Sequence, residues 1–322
     1  MKACDQPWES LRGDPLPWLL DSRRPNFHWK ALTELIKRPS DSPAVIRARG
    51  GSNAAEPVAT LIADLAPDGT WSTDTPLWRA YAGPGWRLLA AVQWGADPTD
   101  PRLQAAAKMI LETAPGEGGF ARAEGGQAVP WLTARLLHGL AELGWCHHQR
   151  FQEGLAWLEE GDAGHPDGGW RCWRRRDSSG ECDVTPIALL LALTACGDRK
   201  RKRLRDRATG SIMRIFSSSR SLSGDDGHPC LGRTDEADVL WSLAKSETPL
   251  QPAMVPLLRH LQNRQVDGGR WRRSAPVPRS LGVVSGAGPS EPSRWVTLKC
   301  AVALMAYAVD AQLPRMFPQK PD

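Results

Sequence analysis

The sequence predicts an all-helical protein: about six helical hairpins following one another in a single domain over residues 1–322 and closing into a ring. The first observation behind this is a repeated corner. Pro166-Asp167-Gly168-Gly169-Trp170-Arg171-Cys172 has echoes in Pro67-Asp68-Gly69-Thr70-Trp71, Gly116-Glu117-Gly118-Gly119-Phe120 and Val266-Asp267-Gly268-Gly269-Arg270-Trp271. The aromatic falls at 71, 120, 170 and 271, at intervals of 49, 50 and 101. The last interval is two periods, with a worn copy at Asp225-Asp226-Gly227-His228. A fixed period near 50 residues marks an array of like units sharing one core. The second observation is that two helix-like segments of different kind lie between corners. The third is that no convincing period-2 run bounded by hairpin turns occurs.

The segments follow in order. Trp29 to Ile36, Ala44 to Arg49 and Pro57 to Leu65 supply the first pair, after an irregular segment at 1–28. Thr75 to Gly95 reads as a long apolar helix and Arg102 to Thr113 as its amphipathic partner. Pro130 to Trp145 pairs with Gln149 to Glu160, and Pro186 to Cys196, apolar all round, with the basic stretch Arg199 to Phe216. Asp235 to Ala244, Val255 to Gln265 and Trp295 to Val309 complete the set, with a loop at 274–293 over the rim and a tail at 311–322. The member just after a corner is expected to be buried on most sides, and the other to show a charged stripe to solvent. Prolines at 76, 130 and 186 mark helix starts, and Thr75, Thr185 and Asp100 read as caps. The carboxylates of Asp235-Glu236-Ala237-Asp238 suit the positive end of a helix.

Composition narrows the function classes. A net charge of +5 and a pI of about 8.9 allow an anionic ligand or surface but do not point to nucleic acid. Fifteen Trp against two Tyr and five Phe suggest packing wedges, some of them lining a cavity. Met1 to Leu20 carries Asp5, Glu9, Arg12 and Asp14 and has no apolar core, so the expectation is a cytoplasmic protein with its seven cysteines reduced.

Gln265, Gly269 and Trp271 have the Q-x3-G-x-W spacing of the prenyltransferase and squalene-oxidase repeat family, and the other copies keep the glycine and the aromatic without the Gln. The chain therefore resembles the (α/α)6 toroid of terpenoid cyclases and protein prenyltransferase β subunits. The resemblance implies an isoprenoid or other apolar substrate in a central cavity, with the corners on the rim around its mouth. Glu181-Cys182-Asp183-Val184-Thr185 resembles the D-x-D-D motif of class II cyclases, with Asp183 as the acid and Glu181 as its partner, although the last Asp is replaced by Val184. Such an acid needs a raised pKa, which an apolar cavity and a neighbouring carboxylate supply. The alternative for Asp183 and Thr185 is a helix cap.

Trp78, Trp86, Trp131 and Trp295 are candidates to line the cavity, and Trp170, Trp173, Arg174 and Trp271 to meet substrate at the rim. Protein prenyltransferases bind zinc. Their ligand set is incomplete here, but Cys172, Cys182, His228 and Cys230 offer a different thiolate and imidazole set, with buried packing as the alternative reading. Arg199–Arg207 is a solvated surface or a contact for anionic lipid. Three functions follow as expectations: an acid-initiated cyclase, a non-catalytic toroid holding an apolar ligand or protein partner, and a zinc-dependent transferase.

Overall fold

A computed structural model describes residues 12–73, 75–79, 81–160, 168–172, 180–217, 234–273, 277, 279–283 and 291–308. Among these residues the regular structure is helical, and extended pairing is confined to isolated bridges such as Arg171 with Glu181. The helices are α1 (Leu16–Leu19), α2 (Pro25–Glu34), α3 (Pro43–Gly50), α4 (Val58–Ile62), α5 (Pro84–Gln93), α6 (Pro101–Thr113), α7 (Pro130–Glu142), α8 (Gln149–Glu160), α9 (Val184–Ala195), α10 (Lys202–Ser217), α11 (Glu236–Lys245), α12 (Val255–Asn263) and α13 (Arg294–Ala308).

The expected difference in kind between helices is present. Every residue of α7 from Pro130 to Ala141 is buried, and so is every residue of α9 from Val184 to Leu193. In contrast α6 buries Leu103, Ala106, Ala107, Ile110 and Leu111, a single stripe at helical spacing, and leaves its other face polar. The most extensive helix contact joins α7 to α9, and α9 continues to α11, α11 to α13 and α13 to α2. On the other side α7 packs on α5. From α2, Trp29 Nε1 donates to the Gly95 carbonyl at 2.7 Å and Asn26 Nδ2 to the Trp94 carbonyl at 3.2 Å, both just beyond the end of α5. The more exposed helices α6, α8, α10 and α12 each lie against the buried helix before them in sequence.

The corners show why the repeat has its composition. The glycine two residues before each aromatic, at 69, 118, 168 and 269, has φ between 68° and 93°, which a side chain resists. The indole of Trp71 donates to the Leu61 carbonyl at 3.0 Å, that of Trp170 to Leu158 at 3.0 Å and that of Trp271 to Leu261 at 2.7 Å. Each buried aromatic thus pins the chain back onto the helix that precedes it. Phe120 has no such donor. Instead the Arg150 guanidinium lies 4.2 Å from its ring centroid and donates to the carbonyls of Gly116, Gly118 and Gly119. Arg207 clamps the next corner in the same way, 4.3 Å from the Trp170 ring and bonded to the carbonyls of Leu158, Glu159, Gly168 and Gly169.

Several expectations need correction. The segment 1–28 is not irregular in its described part, since it contains α1 and the start of α2. Thr75 to Gly95 is not one helix: residues 75–79 and 81–83 form a loop, and the helix starts at Pro84. Thr75 therefore caps nothing, and Thr185 lies inside α9. Asp100 and Asp235 do cap: Asp100 accepts from Arg102 N at 2.8 Å, and Asp235 forms a capping box with Asp238. The thiols are not all reduced, because Cys146 and Cys196, just beyond α7 and α9, form a disulfide across the ends of these packed helices. Their separation of 50 residues is the repeat period, which places them at equivalent points of neighbouring units. Among the described residues no helix is long and apolar enough to cross a membrane.

Candidate functional site

The predicted acid and its partner accept hydrogen bonds from different elements. At the start of α9, Glu181 accepts from Arg214 Nη2 at 2.8 Å and from the Ser211 hydroxyl, both on α10. Asp183 accepts from Thr234 Oγ1 at 3.1 Å, on the approach to α11. Asp183 is the residue preceding α9, but its side chain makes no capping bond, so the cap alternative is not met either. Bridge pairing of Arg171 with Glu181 puts successive side chains on opposite faces, so Glu181 turns away from buried Cys182.

Of the zinc candidates, Cys172 and Cys182 are buried together with Trp170 beside this bridge. His228 and Cys230 lie outside the described residues, as do Trp173 and Arg174. Among the described residues no group of three or more His, Cys, Asp or Glu side chains is placed to hold a metal. Trp170 and Trp271 are the two largest fully buried side chains and serve as corner anchors. In the basic run, Arg201 pairs with Glu159 at 2.7 Å, Arg205 donates to the carbonyls of Leu193 and Asp198, and Arg207 is the corner clamp. These three cations are directed at protein groups.

A charged cluster that sequence reasoning missed lies in the interior. Lys30 Nζ sits 2.6 Å from Glu142 and 3.9 Å from Glu34, while Lys245 Nζ sits 3.3 Å from Glu34 and 3.7 Å from Glu142. The four groups make a closed cycle of alternating charge drawn from α2, α7 and α11. Trp241 Nε1 adds a bond to Glu34 at 2.9 Å, and His138 Nε2 lies 3.8 Å from Glu142. Beside them Lys299 pairs with Asp238 at 2.5 Å. Burial alone would raise the Glu142 carboxyl, but Lys30 and then Lys245 overrule it and hold it well below the usual carboxylate range. Burial pushes the His138 imidazole down to about 3, so this side chain is neutral at physiological pH. Asp235 moves the other way: burial, then the charge of Asp238, raises its pKa well above the usual value.

Lys30, Glu34, His138, Glu142, Trp241 and Lys299 line a cavity of about 30 Å³, with Val92, Gln93, Trp295 and Leu298. That is room for a water or two and not for a polyprenyl chain. The signal in the sequence was His138 and Glu142 at i,i+4 on a helix otherwise expected to be buried on all sides. In such a helix, ionisable groups need partners from elsewhere.

The predicted aromatic residues do gather, at another place. Trp78 meets Trp86 edge-on at 6.1 Å between ring centroids, Trp86 stacks on Trp131 at 5.8 Å, and the Arg122 guanidinium lies 5.1 Å from the Trp131 ring. Trp295 stands apart, 4.7 Å from Phe27. Trp78 borders a cleft of about 630 Å³ between the loop before α5, the end of α6 and the residues after the Phe120 corner.

The sequence matches no family model, and no curated protein matches it either.

Proposed function

We propose that the chain is an (α/α) toroid that works as a non-catalytic binding ring for an apolar ligand, in place of the isoprenoid cyclase that the repeat first suggests. Support for the ring comes from the order of contacts α2–α13–α11–α9–α7–α5 and from the return bonds of Asn26 and Trp29 to the end of α5. Further support comes from the N-terminal segment, which sits on the last corner: Arg12 N donates to Gln265 Oε1 at 2.8 Å and Gly268 N to the Arg12 carbonyl at 3.2 Å. In such a ring α2, α7 and α11 are alternate members of the inner layer, so the Lys30–Glu142–Lys245–Glu34 cycle spans the lumen. The observation that carries the reading is that, among the described residues, the cavity beside these paired charges has space for water only. A carbocation cascade needs an apolar chamber of substrate size beside its acid, and a fold by itself does not dictate chemistry.

The test is to incubate the purified chain with squalene and with C10 to C20 polyprenyl diphosphates and to analyse the products by mass spectrometry. Unchanged substrates are expected. A cyclic product that disappears in Asp183→Asn would overturn the reading and restore the cyclase. One observation favours acid chemistry as the second reading: Asp235, whose pKa burial and the charge of Asp238 raise, neighbours Thr234, which bonds to Asp183. A product lost in Asp235→Asn would establish that version.

A further inference from the structure

The apolar-ligand reading leaves open where a ligand sits and what it is. Among the described residues, the cavity inside the charged cluster has no room for one. The cleft beside Trp78 encloses about 630 Å³, within the roughly 300–1,000 Å³ of small-molecule sites. It has the features of a built site. The loop that leads into α5 departs from the helix its apolar residues predict, and it holds Tyr81 at φ 57°, a conformation disfavoured for an aromatic residue. This loop folds the Trp78 indole directly over Gly85, where any Cβ would collide with the ring. Backbone strain and a side-chain-free position are thus both used to set one tryptophan against the cleft.

Two polar atoms of the aromatic group have no counterpart. Trp78 is 7% exposed and Trp131 3% exposed, and neither indole N–H has a hydrogen-bond acceptor among the described residues. Buried donors of this kind ordinarily have partners. Over Trp131 lies Arg122, an exposed cation with no carboxylate paired to it among the described residues. Leu77, Pro84, Met109 and Pro115 give the wall an apolar stretch, and Thr70, Thr73, Thr113 and Glu124 are its other polar members.

We infer that this cleft binds an amphipathic carboxylate: an apolar body against Trp78 and Met109, and an anionic head at Arg122. The inference rests on the non-catalytic reading and assigns that ligand its chemical class. An apolar chain matches Trp78, Leu77, Pro84 and Met109, and a carboxylate supplies the acceptor oxygens that the exposed Arg122 guanidinium calls for.

The probes are dodecanoate and its uncharged counterpart 1-dodecanol, titrated into the full chain by calorimetry below the concentrations at which they self-associate. Dodecanoate is expected to bind at one site, and Arg122→Glu is expected to weaken it about tenfold or more while leaving dodecanol unchanged. Gly85→Val, which evicts the Trp78 ring, is expected to abolish binding of both. Arg122 is exposed, so its variant folds even if the Gly85 variant does not, and circular dichroism checks each. Absence of dodecanoate binding, or binding indifferent to Arg122→Glu, would overturn the assignment. If no polyprenyl substrate is turned over, that outcome leaves the binding-ring reading standing and removes only this site. Turnover would remove the ring reading itself.

Discussion

Acid should destabilise this protein through His138 at pH values above the ordinary carboxylate range. The imidazole is 4% exposed, and burial, with Arg135, Lys245 and Lys30 adding to it against the pull of Glu142, lowers its pKa from 6.5 to about 3. A folded-state pKa below the unfolded one means that the unfolded chain binds the extra proton, so stability falls as pH drops through the interval between the two. From about pH 6.5 to about pH 5 that is about 1.5 pH units at about 1.4 kcal/mol each, or about 2 kcal/mol lost through this one side chain. Glu142 does not interfere in this range. Its folded pKa is depressed, so its contribution persists above the ordinary carboxylate pKa and declines only in stronger acid. Urea unfolding followed by tryptophan fluorescence at several pH values, for wild type and His138→Phe, measures the difference in slope. The wild type should lose about 2 kcal/mol more than the variant over the interval. Equal slopes would refute the argument and mean that the imidazole is hydrated or ionised in the folded state.

Two further outcomes follow from the corners and the disulfide. Arg207→Met keeps most of the volume over Trp170 but leaves the carbonyls of Leu158, Glu159, Gly168 and Gly169 without this donor. A loss of about 2–3 kcal/mol is expected in chemical denaturation, and hydrogen exchange should quicken at the 168–172 corner; a variant as stable as wild type would contradict the clamp. Replacing Cys146 and Cys196 together by Ser should lower stability by up to about 4 kcal/mol, the chain-entropy figure for a loop of this length. The same loss should appear in wild type on reduction, and no change with reductant would show that the bond does not form in solution.

The helical layout was legible because its signals are local. Proline at the first turn of α7, the cap Asp100, the carboxylates that open α11 and the glycine two residues before each corner aromatic each act within a few residues of their place in the chain. The loop before α5 was misread because Leu77, Trp78 and Tyr81 have helical spacing. The contrary signal, Gly83-Pro84-Gly85, was present but weaker than the hydrophobic run. The interior charges were illegible for another reason. Lys30 and Glu34 have the i,i+4 spacing of an ordinary surface pair, and only the arrival of Glu142 and Lys245 from distant helices shows that they lie inside. Asp183, an expected cap, makes no capping bond and accepts instead from Thr234, 51 residues away, which no local signal announces.

The seating of Arg12 and Gly13 on the final corner bears on how the molecule reaches its native state. Arg12 finds Gln265 across 253 residues, and Arg294 reaches the Trp18 carbonyl across 276. Neighbouring hairpins can assemble early from nearby sequence, whereas this seam waits until both extremities are present and correctly turned. A polypeptide interrupted before residue 265 would lack both α13 and the corner on which Arg12 and Gly13 sit. Joining the extremities covalently and cutting elsewhere should therefore hasten the last step of folding without altering the structure it produces.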